Sequence, residues 1–253
     1  MKENKNYKIS IITVVKNSLS TIEKTIRSVI NQDYENIEYI IIDGNSTDGT
    51  SKIIDKYKDK ISIIVREKDL GIWDAMNKGI KLTSGDIVGF LNSGDIYYEN
   101  TFSTVNKYFN EKNIDFLFGS VQKYKLLHGF RPNLVRFSFG FYTSHSVGFF
   151  IKTDIHKKIG FYNLKYLSAD LDLFYKMIVK NKFKGTCTKK SEIFGKFAKG
   201  GFSSKVNYID HLKDLNQIRV DNGQNIFFVN LLYFIKIIKK PTKFLKAYIE
   251  KKN

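Results

Sequence analysis

The chain holds a single cysteine, Cys187, among 253 residues, so neither an internal disulfide framework nor a cysteine-built zinc site can form. That scarcity fits a reducing compartment. Proline occurs only at positions 132 and 241, and no proline-rich or other low-complexity tract is present. Long apolar runs are also missing. The best candidate, "IFFVNLLYFIKII" (226–238), has 13 residues and contains Asn230 and Lys236. A membrane-spanning helix needs about 20 apolar residues. The opening "MKENKNYKIS" is polar and shows no signal-peptide core, so the expectation is a cytoplasmic chain. Acids are scarce too: 25 Asp and Glu face 42 Lys and Arg, a formal net charge of +17. Such a balance favours an anionic partner, whether nucleic acid, an anionic lipid surface or a phosphorylated small molecule.

What the chain has in quantity is apolar and aromatic residues, at 42% and 15%, which rules out a disordered polymer. They fall in an alternating pattern. "KISIITVV" (8–15), "IEYIIID" (37–43), "ISIIVRE" (61–67) and "DIVGFLN" (86–92) read as short buried strands. Between them lie helical stretches. The first is opened by Ser20 and Glu23 at capping-box spacing, with Ile22, Ile26 and Val29 on one face. Four strand–helix alternations predict a doubly wound, mostly parallel α/β sheet flanked by helices. Ligands of such sheets bind beyond the carboxyl ends of the strands. Those ends carry Lys16-Asn17, Asp43, Glu67-Lys68-Asp69 and Asn92 to Asp95.

Each strand end has a plain structural reading beside a functional one. In "IIDGNSTDGT", Asp43 can accept a hydrogen bond from a base, while Ser46 or Asp48 can cap the next helix. Asp74 and Lys78, four residues apart, form an ordinary helical ion pair or face a ligand. In "LNSGD" (91–95), oxygen-bearing side chains at a strand end suit Mg²⁺ or Mn²⁺. "SADLDLFYKMIVKN" (168–181) predicts a helix with Leu171, Phe174, Met177 and Ile178 inward, and Asp170 at its start suits an acid near a helix N-terminus.

Taken together and in this order, "ISIITVVKN", "SVINQDYENIEYIIIDGNSTDGT", "EKDLGIWDAMNKG" and "GDIVGFLNSGD" resemble the inverting family 2 glycosyltransferases of GT-A fold. The bacterial branch that builds O-antigen and capsule repeats is the nearest in pattern. The resemblance is dense over residues 8–100 and thinner to about 205. It implies a GT-A domain over 1–205, with a nucleotide-sugar half (1–100) and an acceptor half (101–205), followed by a basic amphipathic helical tail over 206–253. By that resemblance Thr13, Val15 and Asn17 would border the nucleotide, and Asp43 would read the uracil base. Asp69, Gly71, Asn77 and Lys78 would line the donor pocket with Asn92, Ser93 and Asp95. Asp95 would be the metal ligand, for Mn²⁺ or Mg²⁺, although Asn92 and Gly94 replace two acids of the family's metal motif. Met76 stands where many relatives carry arginine. Asp170 would be the catalytic base, with Asp172 in reserve and Ala169 in place of the usual glutamate. His145, Lys199 and Ser203 would meet the acceptor or the diphosphate.

The implied activity is transfer of a sugar from a UDP-sugar to a polyprenyl-diphosphate-linked glycan, with inversion, at the inner face of the cell membrane. The tail fits that setting: residues 225–253 hold seven lysines against Glu250 alone, interleaved with large apolar residues. The alternative is a catalytically decayed nucleotide-sugar or membrane-binding protein of the same fold, suggested by Gly94 and Ala169. Nucleic-acid binding has only the net charge behind it, with no RNP-like or helix-turn-helix pattern, and is not expected.

Overall fold

The computed structural model describes residues 4–137, 142–198, 200 and 206–252. Its centre is a seven-stranded sheet. In chain order its strands are β1 (Ile9–Val15), β2 (Ile37–Asp43), β3 (Ile63–Arg66), β4 (Ile87–Phe90), β6 (Phe116–Phe118), β9 (Phe149–Lys152) and β10 (Gly185–Cys187). Their order across the sheet is β10-β6-β9-β4-β1-β2-β3. Every pairing is parallel except the two made by β9. A smaller four-stranded sheet joins β5 (Ile96–Tyr97), β11 (Ile193–Lys196), β7 (Ser120–Gln122) and β8 (Leu126–Leu127) in that order. The expected GT-A architecture of a mostly parallel, helix-flanked sheet is thus the observed one.

The strands are near-continuously apolar because the sheet is covered on both faces. On β1, Ile12 and Val14 join a core with Ile40, Ile42 and Phe90, while Ile9, Ile11 and Val15 join a second core with Ile26 and Phe102. Helix α1 (Ile22–Ile30) and α4 (Thr101–Glu111) cover the second face, and α3 (Ile72–Leu82) covers the first through Ala75, Met76 and Ile80. The short α2 (Thr50–Asp55) follows β2, and α5 (Thr153–Ile159) follows β9.

Two local expectations are corrected. Helix α1 starts one residue later than a Ser20 cap requires: Thr21 is the N-cap and makes no side-chain capping bond. Glu23 is drawn away from the backbone, accepting from the Tyr57 hydroxyl at 2.6 Å and from Arg27 at 3.0 Å. The helix predicted over 168–181 is α6 (Ala169–Tyr175), running into a π-turn at Lys176–Lys180. Phe174 and Met177 point inward as expected.

The segment after 206 forms three helices, α7 (Tyr208–Asp221), α8 (Ile226–Lys239) and α9 (Pro241–Lys252). Helix α7 is docked, burying Ile209, Leu212, Leu215 and Ile218. Its Asp214 accepts the backbone N–H groups of Leu167 and Ser168 at 3.0 and 2.8 Å, which ties it to the start of α6.

Candidate active site

The sheet reverses its winding between β1 and β4: β2 and β3 lie to one side of β1, β4 to the other. In open α/β sheets the crevice beyond such a switch point is where ligands bind. A cavity of about 1040 Å³ opens there. Its walls come from the ends of β1 (Val14 to Ser18) and β4 (Asn92 to Asp95), the start of α3, residues 142–146, the start of α6, and helices α7 and α9.

Gly94 takes a left-handed conformation, φ 97°, which lets the chain turn sharply below Asp95. Asp95 is buried and firmly held. Its Oδ2 accepts the Ser146 hydroxyl at 2.5 Å and its Oδ1 accepts the Ala198 N–H at 2.7 Å. Burial pushes its carboxyl up to about 6, against these donors and the nearby Lys123, which favour the charged form. Among the described residues no group of three or more acids, histidines or cysteines is arranged to hold a metal. The donor chemistry still fits a hard cation. Asn92 Oδ1 and Ser93 Oγ, beside Asp95 in sequence, are buried oxygens with no hydrogen-bond partner. Asp69 faces the same cavity from the loop before α3 and approaches β2 so closely that a Cβ on Gly44 would lie 2.1 Å from its Oδ2.

Asp170, in the first turn of α6, also lines the cavity. The Tyr142 hydroxyl donates to its Oδ2 at 2.9 Å. Burial raises its carboxyl to about 6, a suitable value for a proton acceptor near neutral pH. His145 sits deeper, its Nε2 2.6 Å from the Tyr162 hydroxyl. Burial, with His156 close by, holds it down at about 3, so it is neutral. Trp73 packs edge-on against His145 with ring centres 5.9 Å apart and tilted against Tyr162 at 5.1 Å. This aromatic wall is followed by Val147, whose φ of 70° is strained for a β-branched residue.

The structure brings Val15, Asn17, Asp69, Gly71, Asn92, Ser93, Asp95, His145 and Asp170 to one cavity. It places five of the proposed site residues outside the cavity lining. Thr13 is fully buried, 3.1 Å from the Tyr39 hydroxyl. Asp43 is fully buried as well and braces its own loop, accepting from the Ser46 N–H at 2.9 Å and the Ser51 hydroxyl at 2.5 Å. Asn77 clamps the Tyr162 backbone by two hydrogen bonds of 2.8 Å. Lys78 pairs with Glu67 at 2.9 Å and Asp74 at 3.2 Å. Asp172, the reserve base, is buried against Lys176 at 2.6 Å and Asn222 at 2.7 Å, so its carboxylate is committed to packing α6 on α7. Lys199 and Ser203 lie outside the described residues.

Sequence reasoning missed Tyr142, Ser146, Trp73 and Lys123, and it set the tail apart from the site. In the structure Tyr208, His211 and Lys243 of that tail line the cavity. The one usable signal was Trp73, the single tryptophan of the chain, beside a strand-end loop.

The comparisons with known proteins agree with this fold. The family model described as glycosyl transferase family 2 matches residues 10–181. Over 118 residues the chain is 31% identical to the Escherichia coli UDP-Glc:alpha-D-GlcNAc-diphosphoundecaprenol beta-1,3-glucosyltransferase WfgD, covering 46% of this chain and 47% of that protein. In three of the curated relatives the matched region spans less than half of their length. Among solved structures, Staphylococcus aureus TarS 1–349 in complex with UDP-GlcNAc superposes with a TM-score of 0.69 at 17% identity, over 96% of this chain and 73% of that one. The Pyrobaculum calidifontis mannosyltransferase PcManGT in complex with GDP-Man and Mn²⁺ gives 0.66 at 17% identity, with the same two coverages.

Proposed function

Because this chain belongs to glycosyl transferase family 2, we propose that it moves a sugar from a UDP-sugar to a lipid-linked glycan in bacterial surface-polysaccharide assembly of the O-antigen or capsule kind. The observation that carries the reading is the raised carboxyl of Asp170 in the same cavity as the orphaned oxygens of Asn92 and Ser93. The names of WfgD and of the TarS complex supply the donor and acceptor classes.

In this reading the nucleotide lies along the β1 and β4 ends, and the acceptor enters past Trp73 and Leu167. Asp170 takes the proton of the acceptor hydroxyl as that oxygen attacks the anomeric carbon. The bond from that carbon to the diphosphate oxygen breaks in the same step, and the configuration inverts. Tyr142 holds Asp170 in place, and the buried aromatic wall excludes water from the reacting centre. Asp95, Asn92 and Ser93 would hold Mn²⁺ or Mg²⁺, with substrate phosphates completing the shell. When bound, that ion offsets charge on the leaving diphosphate.

The tail would keep the enzyme on an anionic lipid surface, peripherally and on the cytoplasmic side. No helix of the described residues is long and apolar enough to cross a membrane. Helices α8 and α9 instead expose Phe227, Leu231, Phe234, Ile238 and Leu245 among their lysines.

Titrating the protein with EDTA while following UDP release tests the metal assignment. Transfer should stop and return with Mn²⁺ or Mg²⁺. Transfer that persists in EDTA removes the metal from the reading. UDP binding without turnover of any UDP-sugar favours a decayed binding protein, the alternative that Gly94 and Ala169 suggest.

A further inference from the structure

The cavity wall nearest the tail is built from residues beyond the 10–181 stretch matched by the family, and its chemistry differs from that of the rest. Helices α7 and α9, with the residues just before them, contribute Val206, Tyr208, His211 and Lys243, and no carboxylate. These side chains are placed by specific ties. Asn207 caps α7 through the Ile209 N–H at 2.9 Å and donates from Nδ2 to the Ala247 carbonyl at 3.1 Å, fastening α9 to the start of α7. Lys251 pairs with Asp210 across the same two helices. The Tyr208 hydroxyl reaches the Lys236 carbonyl at 3.4 Å, and the Lys243 ammonium lies over the Tyr208 ring, 4.8 Å from its centre. Lys243 is exposed and forms no ion pair among the described residues. His211 Nδ1 lies 3.1 Å from the Ser168 hydroxyl, two residues from Asp170. A cation, an imidazole and a phenol ring therefore run from the base's own helix to the edge of the cavity. That edge adjoins the helices that expose large apolar residues.

We propose that Lys243 and His211, with Tyr208 holding Lys243, form a diphosphate site for an isoprenoid-linked acceptor, separate from the site that holds the donor's diphosphate. The inference rests on the transfer reading above and sharpens its acceptor side. A lysine point charge suits phosphate, and charge-assisted contacts of this type are among the stronger polar ones. An isoprenoid chain attached to that diphosphate would leave the cavity toward the apolar side chains of α8 and α9.

The test is calorimetry on the full chain with farnesyl diphosphate, farnesol and UDP as separate probes. Wild-type protein should bind UDP and farnesyl diphosphate, and bind farnesol far more weakly. Lys243→Ala and His211→Gln should each weaken farnesyl diphosphate by about tenfold, with UDP affinity unchanged. Lys243→Arg should restore most of the loss. Lys243 is exposed, so its truncation should leave the fold intact, which circular dichroism checks. Equal weakening of UDP and farnesyl diphosphate assigns these residues to the donor's diphosphate and overturns the inference. Unchanged farnesyl diphosphate binding in both variants, or farnesol binding as tight as the diphosphate, also overturns it. If wild-type protein fails to bind UDP at all, the transfer reading itself falls, and this inference with it.

Discussion

Two carboxylates on one turn of α6 meet opposite fates. Asp170 faces the cavity and takes one hydrogen bond from Tyr142, whereas Asp172 is buried between Lys176 and Asn222. Asp170→Asn should cut transfer by about 10²–10⁴-fold while leaving UDP affinity unchanged, measured by UDP release and calorimetry. Asp172→Asn should instead lower stability by about 1–3 kcal/mol, read from denaturant melts, and leave the pH profile of transfer unmoved. The Asp170 carboxyl is raised to about 6 from an ordinary 3.8. Its protonated form therefore supports folding fully below the unfolded value, and that support is lost as pH rises through about 6. Asp170→Asn should accordingly raise stability at pH 7.5, on the order of 2 kcal/mol, and change it little at pH 3.5. The same titration predicts that wild-type kcat/KM falls about tenfold per pH unit below 6, as the base becomes protonated. A profile flat to pH 5 contradicts the assignment.

At the scale of elements, the wall around His145 depends on one clamp. Asn77 on α3 both donates to and accepts from the backbone of Tyr162, two buried bonds of 2.8 Å. Asn77→Ala should cost about 2–4 kcal/mol, two backbone partners being stranded, without changing UDP affinity, since Asn77 does not line the cavity. A selective loss of UDP binding with unchanged stability would restore Asn77 to the donor pocket. The strands that carry the site were legible because each is short, β-branched and buried on both faces. The capping box was misread because Glu23 had a better offer from Arg27 and Tyr57, and Tyr57 lies 34 residues away. Site residues followed the same rule. Asn92 to Asp95 and Asp69 announce themselves at strand ends. Ser146 reaches Asp95 across 51 residues, and His211 reaches Ser168 across 43. Local periodicity carries no trace of such pairings, so Tyr142, Ser146 and the α7 wall became visible only once folded.

At the scale of the whole molecule, residues 225–253 carry seven lysines against Glu250 alone, part of the net +17. Lysines of α8 and α9 stand beside the exposed Phe227, Phe234 and Ile238. Binding to vesicles containing phosphatidylglycerol should weaken steeply with salt. The triple change Lys240→Glu, Lys246→Glu, Lys252→Glu should reduce it by several kcal/mol, roughly 1 kcal/mol or more per lysine. Equal binding to neutral phosphatidylcholine vesicles counts against a lipid-facing tail. Helix α9 also contributes Lys243 to the cavity, so in the proposed reading surface attachment and acceptor entry would share one side of the protein. The most direct test of the whole account is UDP release from a panel of UDP-sugars with bacterial lipid extract as acceptor, comparing wild type with Asp170→Asn. The wild type should turn over at least one donor, and the variant should lose about 100-fold or more of that rate. Equal release by both proteins, or binding of UDP with no turnover of any donor, would contradict it.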